Sequence, residues 1–231
     1  VLVAGALAAK PDRLVDPAEP LRVTAPPARF VSRGGEKLDA ALEQLPVLVA
    51  GRRCLDAGAS TGGFTDCLLQ RGAAQIWAVD VGHGQLHPRI RADERVVVRE
   101  RCNVRGLTPE HTEGPFDLVV ADLSFISLAK VAPVLTQLTS SHGDLVVLVK
   151  PQFEAGRVEV SRGRGIIRDP AVWQRVLTEV AEAFARADAP AQALVRSPLR
   201  GGDGNVEFLL HAKRGAEPVV AGLDVDAVVS G

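Results

Sequence analysis

The sequence predicts an α/β domain: a mostly parallel sheet with one antiparallel strand and helices on both faces. Short runs rich in Val, Ile and Leu alternate with segments of helical period, the pattern of repeated β-then-α units. Those runs are nearly continuously apolar, as strands covered on both faces must be. The last two are joined through Gly201-Gly202-Asp203-Gly204, a turn composition that makes a hairpin and reverses one strand. The composition supplies a core: 46% of the 231 residues are hydrophobic and 24% charged, as in ordinary globular domains. Disorder and collagen-like repetition are excluded, and no apolar run reaches the roughly 18 residues that would span a bilayer. Charges nearly cancel, 27 Lys+Arg against 28 Asp+Glu for a net charge of -1. Any nucleic-acid contact must therefore come from local charge.

Taken in order, the chain opens with Val1-Leu2-Val3, a possible strand. A Pro- and Asp-rich stretch follows, with Lys10-Pro11-Asp12, Val15-Asp16-Pro17 and Thr24-Ala25-Pro26-Pro27, which reads as turn and linker. Gly34-Gly35 precedes a helix with Leu38, Ala41, Leu42 and Leu45 on one face, stopped at Pro46. Strands are predicted at 54–58, 75–80, 95–99 and 116–122, with a helix through Phe64, Cys67, Leu68 and Leu69 after the first. A helix over about 128–138 and a strand over 144–150 follow. A Gly- and Arg-rich loop is expected at 156–168, and Pro170 opens a helix to about Ala187. The hairpin strands lie near 193–197 and 205–211, and 213–231 has no persuasive pattern and is expected to be a loosely held tail. The sequence contains no Met and opens on Val1, as expected of a piece of a longer product. Cys54, Cys67 and Cys102 are widely spaced without a C-x-x-C, so reduced thiols in a cytoplasmic protein are expected, and no metal site.

Asp56-Ala57-Gly58-Ala59-Ser60-Thr61-Gly62-Gly63 stands where the first strand of the sheet becomes a helix. Open α/β sheets bind ligands at the carboxyl ends of their strands, where glycine lets a ligand approach the backbone. The spacing is G-x-x-x-G-G rather than the dinucleotide pattern G-x-G-x-x-G. Asp56, two residues before the first glycine, would repel a pyrophosphate but accept from a cationic amino group. An amino-acid-bearing nucleoside such as S-adenosylmethionine fits better than NAD; glycines present only for packing are the other reading. Asp80, ending the second strand, is placed for ribose hydroxyls, and Asn103, after the third, for an adenine edge.

Lys37, Asp122, Lys150 and Glu207 are polar residues at element ends near that turn, each open to a structural ion-pair reading. Asp122 and Lys150 end successive parallel strands and so emerge together on the ligand side, which favours chemistry. The segments Phe30–Leu38 (Phe-Val-Ser-Arg-Gly-Gly-Glu-Lys-Leu), Asp56–Thr65, Asp122–Ser127, Lys150–Glu154 and Gly163–Pro170 together resemble the TlyA (haemolysin A) family of ribosomal RNA 2′-O-methyltransferases with an FtsJ-like catalytic domain. The resemblance implies a Rossmann-like S-adenosylmethionine-dependent methyltransferase fold over 29–212, a remnant of an S4-type RNA-binding domain plus linker at 1–28, and a tail at 213–231. It implies a catalytic tetrad at Lys37, Asp122, Lys150 and Glu207. The cofactor residues it and the glycine turn suggest are Asp56, Gly58, Ser60, Thr61, Gly62, Gly63, Asp80, Asn103 and Asp122. Lys150, made neutral by burial and a neighbouring cation, would act as general base, Lys37 would stabilise the developing alkoxide, and the two carboxylates would orient the lysines.

The substrate is then ribosomal RNA within ribosomal subunits, the family implying cytidines in 16S and 23S rRNA. Arg157, Arg162, Arg164 and Arg168 against Glu159 alone, with Arg29 and Arg33 on the other side, are the candidate RNA contacts. Phe125 and Phe153 are candidates for base stacking or for the core. A membrane-active cytolysin, which would need an amphipathic or spanning segment, and a non-catalytic nucleotide-binding module are the competing readings.

Overall fold

The computed structural model describes residues 1–8, 10, 13–22, 28–219 and 223–230. Among the described residues, ten strands form two sheets. β1 (Leu2–Val3), β2 (Ala6–Leu7) and β3 (Leu21–Arg22) make a small antiparallel sheet in the order β2-β1-β3. The expected linker at 24–27, and Pro11-Asp12 of the stretch before it, lie outside the described residues.

The large sheet contains β4 (Arg53–Ala57), β5 (Gln75–Val79), β6 (Val96–Arg99), β7 (Phe116–Ala121), β8 (Thr139–Val149), β9 (Ala191–Arg196) and β10 (Phe208–Lys213). Its order is β6-β5-β4-β7-β8-β10-β9. β10 runs antiparallel to both neighbours and the remaining pairs are parallel. One reversed strand in a parallel sheet is what the hairpin at 201–204 implies.

Helices α1 (Arg33–Leu42), α2 (Gly63–Gln70) and α3 (Pro88–Arg91) cover one face, where Leu38, Phe64, Leu68 and Ile90 pack on Cys54, Ile76 and Leu118. On the other face lie α4 (Ala132–Leu138) and α7 (Pro170–Arg186), with the short α5 (Pro151–Glu154) and α6 (Arg157–Arg162) between them in the chain. There Leu135, Val176, Val180 and Phe184 bury against Leu55, Val119, Leu145 and Leu210. Strands with apolar side chains on both faces are what a sheet between two helical layers requires.

Several elements depart from the sequence reading, among them β2 and β3 within the stretch read as turn and linker, and α3, which it lacked. The 156–168 segment is not all loop: α6 forms over 157–162 because Glu159 reaches back to accept from the Gly156 N–H at 3.0 Å. Residues 128–138 are a 3₁₀ turn (128–130) followed by α4, which restarts with Pro133 in its first turn, where a missing N–H costs nothing. β8 begins at Thr139, five residues before Asp144, with a register irregularity opposite Phe116–Leu118. The expected patternless tail contains α8 (Val225–Ser230), whose Val229 is buried in the core beside α7. It is shorter than two helical turns, too short for a periodic signal.

Candidate active site

Strand order reverses between β4 and β7, and the crevice at such a switch point is where open α/β sheets take ligands. Here it is a cleft of about 480 Å³ lined by Gly58, Ser60, Asp80, Gln85, Cys102, Asn103, Asp122, Ser124 and Phe125, among others. A smaller recess of about 110 Å³ shares Gly58, Ser60 and Asp122 and adds Ser32, Lys37 and Thr61. The two meet at Gly58 and Asp122.

Gly58 has φ +89, and a Cβ there would stand 2.5 Å from the Asp122 carbonyl oxygen. Only glycine fits, so the floor of the cleft is bare backbone. The Asp122 N–H donates to the Ala57 carbonyl at 3.0 Å, which joins the ends of β4 and β7. The Asp80 carboxylate accepts from the Ser60 N–H at 2.8 Å and the Gly82 N–H at 2.7 Å, so it is held rigidly at the end of β5. Asn103 lines the same cleft while its Oδ1 accepts from the Arg105 N–H at 3.1 Å, leaving its amide N–H₂ for a ligand.

The other two glycines of the turn stand in close packing contacts, and Gly63 also lines the recess. Gly62 caps α2 with φ +94 against Leu86, and a Cβ on Gly63 would lie 2.1 Å from Ser32 Oγ and 2.9 Å from the Gly35 nitrogen. Gly63 lets α1 cross the start of α2, which brings Lys37 to the recess, while Gly62 makes room for Leu86 and Ile90. Asp56 is also placed differently from the sequence reading. It points toward α2, shares no wall of either cavity, and accepts from Thr65 Oγ1 at 2.6 Å with 0% exposure. Strand alternation puts it on the face of Cys54 rather than at the strand's open end. Burial, with Asp122 and Asp80 nearby, pushes its carboxyl up to about 7 despite the Thr65 hydrogen bond.

The four reacting candidates converge as two ion pairs. Lys37 Nζ lies 2.5 Å from Glu207 Oε2, both buried. Lys150 Nζ lies 2.5 Å from Asp122 Oδ1 and donates to Ser124 Oγ at 2.9 Å. The Lys150–Asp122 contact is an ion pair by distance without the alignment of a hydrogen bond, and Asp122 Oδ1 is a buried acceptor with no directed donor. The expected cation beside Lys150 is thus a carboxylate and a hydroxyl, since Lys37 spends its charge on Glu207. Lys37 is mid-helix, not at the start of α1.

Sequence reasoning passed over Ser124, Gln85 and Glu154. Glu154 accepts from the Leu128 N–H at 2.8 Å and so ties α5 to the loop bearing Ser124 and Phe125; burial raises its pKa above the usual glutamate value. Ser124 was within reach, standing two residues after Asp122 in a loop already singled out. Phe125 is 91% exposed at φ +63 and tilts over Phe153 with ring centroids 5.1 Å apart. It is therefore no core residue.

Among the arginines, Arg157, Arg162, Arg164 and Arg168 are exposed, and Glu159, the one acid among them, is engaged by Arg175 at 2.6 Å. Arg29 is paired with Asp39 and lies over the Phe30 ring, and Arg33 donates to the Arg200 carbonyl. Arg29 is thus matched by a carboxylate, whereas Arg33, held by a carbonyl, keeps its charge. Among the described residues no cluster of His, Cys, Asp and Glu could hold a metal, and no helix is long and apolar enough to cross a membrane.

The model of the FtsJ-like methyltransferase family matches residues 30–214. A Mycobacterium tuberculosis protein named 16S/23S rRNA (cytidine-2′-O)-methyltransferase TlyA is 51% identical over 211 residues, covering 91% of this chain and 78% of that protein. Brachyspira hyodysenteriae Hemolysin A is 42% identical over 79% of this chain and 76% of its own. A crystal structure named for a hemolysin of Lactococcus lactis superposes with a TM-score of 0.83 at 43% identity, over 87% of this chain and 97% of that one.

Proposed function

The chain belongs to the FtsJ-like methyltransferase family, and from that premise we propose that it methylates ribose 2′-hydroxyls of ribosomal RNA, at cytidines in 16S and 23S rRNA, with S-adenosylmethionine as methyl donor. The observation that carries this reading is the pairing of Lys150 with Asp122 and of Lys37 with Glu207 around one cleft at the switch point. The cleft fits the cofactor: bare backbone at Gly58, a fixed carboxylate at Asp80 for ribose hydroxyls, an amide at Asn103, and Asp122 on the wall that cleft and recess share. When bound, S-adenosylmethionine supplies an electrophilic methyl group.

The chain's own residues manage the proton and the nucleophile. Ser124 accepts an aligned N–H from Lys150 and so aims the amine, while Asp122 attracts it by charge. Lys150 is so placed to receive the 2′-hydroxyl proton as general base, a role that belongs to its deprotonated form. Lys37, anchored by Glu207, meets the negative charge that develops on the oxygen. Phe125, exposed beside the cleft, offers a face to the flanking base. Orientation supplies much of the rate, because a 2′-hydroxyl is a weak nucleophile that must be held in line.

The test combines calorimetry with S-adenosylmethionine and tritiated-methyl transfer to ribosomal subunits. Lys150→Ala should keep cofactor affinity and lose transfer. Ser124→Ala should lower kcat by roughly tenfold, one hydrogen bond's worth of aiming, and Ser124→Thr should restore it. Wild-type turnover by Lys150→Ala would remove the lysine from the mechanism.

A further inference from the structure

We infer that the β9–β10 turn forms a second RNA-phosphate subsite, in which Arg196 and Arg200 grip the backbone of the strand whose ribose reaches Lys150. The inference rests on the RNA-methylation reading and adds a surface to it.

β9 and β8 run in the same direction on either side of β10, and Phe208 is level with both Val149 and Arg196. Arg196 therefore ends its strand on the same side of the sheet as Lys150, two strand spacings away, roughly 10 Å. A cavity of about 410 Å³ opens there, lined by Arg196, Ser197, Pro198, Arg200 and Val206. Neither arginine makes an ion pair with a carboxylate among the described residues, although Asp203 lies in the same turn. Structural arginines usually find an acid; these two are held by neutral groups instead. The Arg196 guanidinium lies 5.7 Å from the Trp173 ring centroid and donates to the Val229 carbonyl at 3.5 Å. Arg200 donates to the Gly204 carbonyl at 3.1 Å, and its own carbonyl is fastened by Arg33. Such cations are pre-positioned without being neutralised, as phosphate recognition needs.

The turn is also joined to the arginine-rich segment. Asn205, 1% exposed, accepts from the Ile167 N–H at 2.9 Å and donates to the Gly165 carbonyl at 2.9 Å. Trp173, under Arg196, donates to the Ile167 carbonyl at 3.2 Å. The segment that carries Arg164 and Arg168 is thus fastened to the turn by its backbone, and Gly201 of the turn stands against the Glu207 carboxylate that pairs with Lys37. The acid there is already matched by Lys37, so the rim's cationic character survives. A cationic rim around a catalytic lysine suits a polyanion that passes across the site.

The experiment is a salt titration of binding by the full chain, wild type against Arg196→Gln/Arg200→Gln, to protein-free rRNA and to ribosomal subunits. Glutamine keeps part of the apolar stem and a polar end while it removes the charge, and a thermal melt checks folding; Arg200→Gln alone, at an exposed turn, serves if the double variant melts early. Each lost phosphate contact should reduce the slope of log K against log salt by about 0.7–0.9. The KM for subunits should rise while kcat and S-adenosylmethionine affinity stay unchanged, and Arg200→Lys should retain most of the binding. An unchanged salt slope on protein-free rRNA overturns the inference. So does a loss seen only with intact subunits, which would assign the patch to an acidic ribosomal protein. Binding is read separately from transfer, so a chain that shows the slope change yet methylates no rRNA would sink the function and keep the surface.

Discussion

At the residue scale, Asp56 separates placement from type. Its carboxyl is fully buried with one oxygen on Thr65 and the other unpartnered. With a folded-state pKa of about 7 against an ordinary 3.8, the folded chain holds a proton that the unfolded chain has lost across that window. Stability contributed by this site is therefore present below pH 4, falls as pH rises toward 7, and is missing above it. Asp56→Asn should remove the slope and raise stability at pH 8 by on the order of 4 kcal/mol as an upper bound. Urea melts of both proteins at pH 5 and pH 8 check this, and parallel pH dependences would sink it. Ser124 gives the complementary case: its type is ordinary, and its position, 2.9 Å from Lys150, makes it a positioning residue.

At the element scale, the crossing of α1 on α2 decides whether Lys37 reaches the site. Gly35 and Gly63 face each other so closely that a Cβ on Gly35 would lie 2.4 Å from the Phe30 ring and 2.9 Å from the Gly63 carbonyl. Gly63→Ala should push α1 outward, costing about 1–3 kcal/mol as overpacking does, and should lower methyl transfer by displacing Lys37 while the Asp80 side of the cleft is untouched. Gly202→Ala, with open space around its Cβ, is the control. Equal melting temperatures for the two variants would show that the crossing has slack. The strands of the large sheet, and the helices α1, α2 and α7, were legible because their apolar periodicity extends over several residues; β2, β3, α3, α5, α6 and α8 were not, because two to six residues carry too little period and are made by contacts.

At the scale of the whole molecule, ligand and fold are linked, because the cleft is made by the ends of β4, β5 and β7 together. A ligand that binds only the folded chain stabilises it by about 2.7 kcal/mol at a hundredfold excess over Kd, roughly 5–10 °C for a domain of this size. Saturating S-adenosylmethionine should raise the melting temperature by that amount and NAD should not; a flat response to S-adenosylmethionine would remove it as cofactor. Local periodicity, and motifs short enough to be read along the chain, were enough to give the large sheet with its one reversed strand, the glycine turn at the end of β4, and the residue types of the candidate site. They could not say that Lys37 pairs with Glu207, 170 residues away, that Lys150 faces a carboxylate and a serine instead of a cation, that Asp56 turns away from the cleft, or that Gly63 serves a helix crossing. Only the tertiary structure decided these, because a side chain's partner is set by strand order, register and the face it occupies, which are properties of the packed sheet and of no single segment.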